Sequence, residues 1–570
     1  MSSPTLFDNL SPQHAARTRR VRRQSVSGPL STERDADVLV VGGGHNGLVA
    51  ACYLARAGLD VLVLESRDVL GGCTTTEILI PEAPEHWFSP CADDVISLRA
   101  STVPRDLELA RYGYHEIDVD PPYVALAPDG GSLAFWRDVG RTVAEVAHFS
   151  RRDARTFEQL IEQLMPISDA AIELMATNPT RPDLGSVLRA ASKLRRPRGI
   201  PTLASLATVS AAQAIQERFE HPLVQSGLAQ LANFGSPITM EHTGINLLIV
   251  PLIMRVGMAR PRGGMGMLPR ALERSLVAAG GRVQTSARVQ ELLVDGGHIA
   301  GVRLTTGAEL RARTVLTATE PTQVLNKWLP DGALSERMAA RASHIPTRSG
   351  NCAHFKIQVA FRGKLQLKRH NAARTDGLDL RTPTHVVGSI DDICRAITDA
   401  GSGRLPDPLP YASMINTAMD STLAPAGQDC LSLWSGWVPL EPAEGWDDMK
   451  AATEKALVEH AMSYLDGFES LEVARWVESP PEMMARTSVP TGNVYHVDMT
   501  MMHLGPFRPA WGFGGYRTPV PGLYLSGGGT HPGPSVSGLP GQQAARTLLR
   551  DLRKGRTPTS DNARLAQHAT

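Results

Sequence analysis

The sequence lacks much of what would narrow its chemistry at once. Its six cysteines (Cys52, Cys73, Cys91, Cys352, Cys394 and Cys430) stand apart with no C-x-x-C spacing. That excludes a zinc ribbon and a disulfide framework, and it fits a reducing, cytoplasmic setting. Charge of one sign is not in excess either: 58 Lys and Arg meet 58 Asp and Glu, so nothing attracts nucleic acid. Long apolar runs are missing. The longest, Leu247 to Met254, falls far short of the ~20 residues of a spanning helix and contains Pro251. No metal-ligand cluster and no Ser–His–Asp arrangement is present. What remains is a 570-residue chain of globular composition, 42% hydrophobic and 20% charged. Its length suggests roughly two to four domains, or one large α/β unit with insertions.

What is there begins at Asp37 to Glu65, DVLVVGGGHNGLVAACYLARAGLDVLVLE. Val38–Val41 is a short β-branched run suited to a buried parallel strand. Gly42, Gly44 and Gly47 follow in G-x-G-x-x-G spacing, then apolar residues at helical intervals up to Gly58. A second strand, Val61–Leu64, ends on Glu65. The glycines serve the tight turn, the close approach of a pyrophosphate and the packing of helix on strand. The helix N-terminus offers unpaired N–H groups to phosphate, and an acid about twenty residues on suits a ribose diol. The motif predicts a dinucleotide-binding unit. A second glycine pair, Gly71-Gly72, passes near the same ligand, which a nicotinamide-only domain has no reason to contain.

Elsewhere the pattern changes. Residues 1–34, with Arg17, Arg19, Arg20, Arg22 and Arg23 among Ser, Gln and Pro, are expected to be a disordered basic tail. The paired arginines lack the apolar segment of an export signal. A peripheral contact with an anionic membrane surface stays open. Arg141–Leu164 suits amphipathic helices interrupted near Ser150, and the Pro- and Arg-rich stretch 178–202 is expected to be a connection. The Met-bearing run from Met240 to Met258 is either packed core or the lining of a tunnel for a greasy substrate. After a glycine-rich turn at 260–266, short alternating strands are predicted from Arg282 to Ala318. Cys352–Phe361 and Leu431–Val438 are predicted strands, and Asp447–Tyr464 a helix. Near the C-terminus, GLYLSGGGTHPGPSVSGLPGQQAAR (522–546) places Gly527, Gly528 and Gly529 after a buried strand and starts a helix after Ser537-Gly538.

These three signatures together resemble the phytoene desaturase-like FAD-dependent oxidoreductases. The likeness is nearest to the branch of carotenoid ketolases and pyridine nucleotide-disulfide oxidoreductase domain 2 proteins, through the turn Gly44-His45-Asn46-Gly47, the LGGCTTTE stretch, the GNVYHVDM stretch and the THPG core at 530–533. The resemblance spans about residues 35–555. It implies FAD as cofactor and an α/β fold, a discontinuous Rossmann-type FAD-binding domain with an inserted α+β substrate domain. The FAD-binding domain would come in three parts (35–110, 260–325 and 501–555). A helical substrate or lid region (111–259) and a substrate domain (326–500) would separate them, and a flexible tail (556–570) would follow. It also implies that the backbone at Val289 meets the adenine. Where the wider amine-oxidase group often has Arg after the glycine pair, this chain has Cys73, so no arginine role carries over.

The expected cofactor-binding residues are Gly42, Gly44, His45, Asn46, Gly47, Glu65, Gly71, Gly72, Val289, Gly527, Gly528, Ser537 and Gly538; no metal is expected. The flavin performs the redox step, and the protein orients a substrate C–H and handles a proton. If Asn493–His503 is extended, His496 and Asp498 share a face and form an acid–base pair. His531, inside the closing signature, is the third catalytic candidate; Arg508 and Glu77 are weaker ones. The expected partner is a hydrophobic, carotenoid- or polyene-like small molecule that is dehydrogenated, desaturated or oxidised. Two alternatives stand beside it: an amine or related metabolite, favoured by the aromatic cluster Phe507, Trp511, Phe513 and Tyr516, and a non-catalytic flavin-binding scaffold. No second nucleotide-binding unit is present, so a tight NAD(P) site is not expected. Neither the electron acceptor nor the oligomeric state follows from the residues.

Overall fold

The structure, a computed structural model, describes residues 34–194, 199–233 and 236–555. The tails expected at 1–34 and 556–570 lie outside the described residues, Arg34 apart. The chain opens with β1 (Val38–Val41), α1 (His45–Arg56) and β2 (Val61–Leu64), as the periodicity requires. Strands β3 (Glu116–Val119), β4 (Tyr123–Leu126) and β5 (Ser132–Phe135) follow. Helices α2 (Val139–Phe149) and α3 (Arg151–Met175) meet at Ser150, whose side chain caps α3 by accepting from the Asp153 amide. The stretch expected to be a connection instead holds α4 (Leu184–Leu194) and α5 (Gly199–Leu206). Its prolines do not prevent this: Pro182 precedes α4 and Pro201 sits in the first turn of α5, where no helical donor is lost.

The chain then returns to β6 (Met258–Pro261), α6 (Met267–Ala278), β7 (Arg282–Gln284), β8 (Val289–Asp295), β9 (His298–Leu304), β10 (Glu309–Arg311) and β11 (Val315–Thr317). A second body supplies β12 (Cys352–Phe361), β13 (Thr384–Val387), β14 (Tyr411–Ile415), β15 (Asp429–Pro439), α7 (Trp446–Met462) and β16 (Glu472–Glu478). The chain closes on β17 (Leu523–Leu525) and α8 (Leu539–Arg553).

Two sheets organise these elements. A five-stranded sheet, ordered β17-β11-β1-β2-β7, is parallel throughout, so strands from three distant stretches complete one dinucleotide-binding fold. Alternate residues of β1 feed different cores. Val38 and Val40 pack with α1, α6 and α8, while Leu39 and Val41 pack with β8–β10. The second sheet has seven strands, ordered β16-β12-β15-β14-β13-β4-β5. Its edge is β4 and β5, from the region expected to be helical. Four-residue strands are too short for a periodicity to declare itself. The 111–259 region and the 326–500 region therefore share one sheet and one core. In that core lie Leu247, Met254 and Met258, with Ile245, Leu248 and Ile249 packed against it, while Met240 is partly exposed. The Met-bearing run is packed core.

Candidate active site

A cavity of about 410 Å³ lies where the two sheets meet. Val41, Leu64 and Ala318 bring it to the C-terminal ends of β1, β2 and β11, the edge at which open parallel sheets bind ligands. Tyr123, Lys356 and Trp434 carry it to the seven-stranded sheet.

The cofactor end is mostly backbone. Gly42, Gly44, His45 and Asn46 line it from the first turn, Gly71 and Gly72 from the second, and Gly527 and Gly528 from the third. Gly44 bridges to Gly71, so the first two turns lie side by side. Gly47 is not in the wall but holds it in place: a Cβ there would stand 2.0 Å from the Gly42 carbonyl oxygen. Gly541 of α8 does the same from the other side, 2.1 Å from the Asn46 carbonyl oxygen. The first intrahelical bond of α1 runs from the Leu48 amide to the Gly44 carbonyl, and no side chain caps the helix. The amides before Leu48 are thus left for a ligand. His45 Nε2 and Asn46 Oδ1 are buried without partners at the same spot. Glu65 accepts from the Gly43 amide (2.8 Å) and the Arg67 amide (2.9 Å), keeping lone pairs for a diol. Ala287, Arg288 and Val289 complete the wall beyond it. An uncapped helix end, glycines on opposite sides and an anchored acid fit an FAD.

Other expected residues fall elsewhere. Ser537 and Gly538 lie beyond the last wall residue of their segment, Val536. Ser537 Oγ accepts from the Leu539 amide, and Gly538 caps α8 at φ 69° against Val49. The extended reading of Asn493–Asp498 is corrected: the Val497 amide bonds the Tyr495 carbonyl (2.7 Å) and His496 has φ 63°. The chain folds back, so His496 enters the wall while Asp498 turns away to accept from Asn493 Nδ2 at 2.9 Å. The two do not pair. His531 is not in the wall either; its Nε2 meets the Leu174 carbonyl at the end of α3 (3.2 Å), and its own carbonyl accepts from Tyr516. Arg508, fully buried, donates to the carbonyls of Tyr495, Val497, Asp498, His503 and Gly528. It clamps the folded turn onto the third glycine signature and is not in the wall of this cavity. Desolvation lowers it to about 9. Glu77 pairs with Arg67 (2.9 Å). The aromatic cluster dissolves: Phe513 and Tyr516 are core, and Phe507 stacks on Trp511, itself 59% exposed.

The substrate end is side chains. Tyr123, His354, Lys356, Trp434, Glu478 and Tyr495 face it, together with Cys91, Asp93 and Asp94. Lys356 Nζ pairs with Asp93 Oδ2 (2.5 Å), donates to the Cys91 carbonyl (2.7 Å) and lies over the Trp434 ring. Arg486 neutralises Glu478. The Cys91 thiol donates to Cys73, the residue directly after the glycine pair, which lowers Cys73 and raises Cys91. Burial holds His45, His354 and His496 at about 4, so all three are neutral near pH 7. Tyr123, His354, Lys356, Trp434 and Glu478 have no site role in the sequence reading. The one available signal was Thr314–Ala318: as a strand of the parallel sheet, its C-terminal end had to reach the cofactor edge, and Thr319 and Glu320 are indeed in the wall.

This geometry agrees with comparison to known proteins. The model of the flavin containing amine oxidoreductase family matches residues 47–541. The chain belongs to that family. The mouse pyridine nucleotide-disulfide oxidoreductase domain-containing protein 2 is 31% identical, over 93% of this chain and 96% of its own. Hydroxyneurosporene desaturase of Cereibacter sphaeroides is 26% identical, over 90% and 98%. Among solved structures, an oxidoreductase from Methanosarcina mazei superposes with a TM-score of 0.60 at 16% identity, covering 90% of this chain and 99% of that one. The flavin-family fold and the desaturase-like branch are both established by these matches. Among the described residues, no helix is long and apolar enough to cross a membrane and no metal-binding cluster occurs.

Proposed function

We propose that this oxidoreductase uses FAD to dehydrogenate a largely lipophilic organic molecule. The observation that carries the reading is the continuity of one cavity from the three glycine turns to the seven-stranded sheet. Gly44, His45 and Asn46 would hold the pyrophosphate, Glu65 the ribose and Val289 the adenine. A bound FAD supplies the acceptor for the hydride. The protein's share is placement. Ile96, Val489 and Val494 give the substrate end apolar surface, and the neutral His496 adds no charge beside the reacting carbon. The desaturase relative supports a hydrocarbon-like body. An amine substrate is the second reading, supported by Asp94 among Tyr123, Trp434 and Tyr495 in the wall.

The test is anaerobic titration of the purified yellow protein with lipophilic alkenes, alcohols and amines, followed by loss of the flavin band. One FAD per chain and bleaching by at least one class are expected. Protein that neither carries FAD nor takes it up overturns the reading. FAD-bound protein that no candidate reduces would instead favour the scaffold alternative.

A further inference from the structure

Three carboxylates face the substrate end, and two are neutralised: Asp93 by Lys356 and Glu478 by Arg486. The third, Asp94, accepts no hydrogen bond from any described residue. Behind it on β6, Arg260 is 4% exposed, and its Nε and Nη1 have no partner; only Nη2 reaches Thr384 Oγ1 (3.3 Å). The two opposite charges act on each other without forming an ion pair. A half-buried carboxylate on the cavity wall and a buried guanidinium left short of their bonding capacity leave room for another polar group to complete the set. Asp94 lines the cavity, so a group bound there can reach it.

We propose that Asp94 binds a hydroxyl or amine on the carbon that is oxidised and takes the proton of that group. The proposal rests on the FAD-dependent dehydrogenase reading. The donor X–H bonds to a carboxylate oxygen of Asp94. As the substrate becomes C=X, the C–H bond breaks, its hydride passing to the bound flavin as oxidant, and the X–H bond breaks, its proton passing to Asp94. The substrate loses two hydrogens, and both are accounted for. Desolvation, with the neighbouring Asp93, raises Asp94 to about 6 against the pull of Arg260 and Lys356. Tyr123, with Tyr495 beyond it, completes the groups that face it. An acid–base group at that value is half-ionised close to neutrality, where proton transfer is most effective.

The test compares hexyl, octyl and decyl alcohols and amines with the alkanes of the same length. Binding is read as the shift of the flavin visible band in the FAD-loaded protein between pH 5 and 8. Alcohols or amines should bind at least tenfold more tightly than the alkanes above pH 6, with the advantage fading below it. Which of the two binds identifies the donor. Asp94→Leu should abolish the advantage. Asp94→Asn, close in shape, should keep binding of the donor but lose its pH dependence and the rise of anaerobic reduction rate through pH 6. Melting curves of the loaded variants separate folding from recognition. Alkanes that bind as well as their alcohols and amines, a panel without a donor-bearing ligand, or an Asp94→Leu protein that keeps the advantage overturns the assignment. In each of those cases bleaching by a hydrocarbon leaves the FAD-dependent reading standing, whereas absence of FAD removes both.

Discussion

At the cofactor end the cavity wall is backbone, folded by glycines within a few residues of each strand end. At the substrate end the wall is charged and aromatic side chains drawn from β4, β12, β15 and the segments around Asp94 and Tyr495. The first kind of wall is held by glycines behind it, Gly47 and Gly541, that have no room for a Cβ, and it asks little of its side chains beyond Glu65, His45 and Asn46. The second kind asks for particular charges, because each one left unpaired in a low-dielectric cavity is costly. The two ends should therefore fail differently: the first by steric exclusion, the second by broken charge balance.

The largest effect is expected at the first. Gly47→Ala puts a Cβ 2.0 Å from the Gly42 carbonyl oxygen, closer than any contact can stand. Either α1 moves off β1 or the turn opens, with a loss on the order of 4 kcal/mol or more. Flavin content measured on the purified variant should fall at least tenfold. Retained FAD would show that the first turn tolerates side chains after all.

Next is the charge pair. Lys356 and Asp93 have side chains 9% and 6% exposed. Lys356→Met strands the carboxylate and should cost about 3–5 kcal/mol, lowering the melting temperature by about 3–4 °C. Lys356→Met with Asp93→Asn should recover more than half of that shift. Equal losses in the single and double variants would mean that the hydrogen bonds from Lys356 Nζ to the Ser89 and Cys91 carbonyls, rather than the pairing with Asp93, matter there.

How legible each end was follows from the same division. The glycine spacing, the strand–turn–helix–strand unit and Glu65 were readable because a dinucleotide turn is local: its constraints fall within thirty residues. The substrate wall was not, because Tyr123 and Lys356 reach one cavity only through the seven-stranded sheet, whose β4 and β5 were too short to be recognised. His496 and Asp498 were misplaced for a related reason. Alternation assumes an extended chain, and Arg508, buried among five carbonyls, holds that segment in a reversal no periodicity encodes. The Met run misleads in the other direction, since packed core and tunnel lining share one pattern.

A smaller effect concerns the histidine of that reversal. His496 is held at about 4, below its ordinary 6.5, so protons bind it more readily in the unfolded chain. Its contribution to stability is complete above pH 6.5 and is lost as pH falls toward 4, at most about 3 kcal/mol. Melting temperatures should therefore drop between pH 6.5 and 4.5. Asp94, raised to about 6, works in the opposite sense over part of that window and offsets some of the loss. In His496→Asn, which suits the positive φ, the drop should be shallower than in the parent protein. Curves that stay parallel would place the acid-sensitive group elsewhere, with His45 and His354 the next to replace.

The smallest effect is expected at His531, although it sits inside the most recognisable motif of the C-terminal stretch. The third signature contributes to the cavity through Gly527 and Gly528 and through Pro534 to Val536, and the residues between them loop away toward α3. His531 fastens that loop by a single ring contact to the Leu174 carbonyl. Replacing it with Gln, which still offers an N–H donor, should change the FAD dissociation constant by less than about twofold, under ~0.5 kcal/mol. Anaerobic reduction should change as little. A loss of flavin reduction with FAD still bound would mean that the loop swings inward once the cofactor is seated. The boundary between a backbone-built end and a side-chain-built end would then hold only for the cofactor-free protein. An unchanged His531→Gln protein would instead mean that the signature's value lies in its glycines and the turn they make.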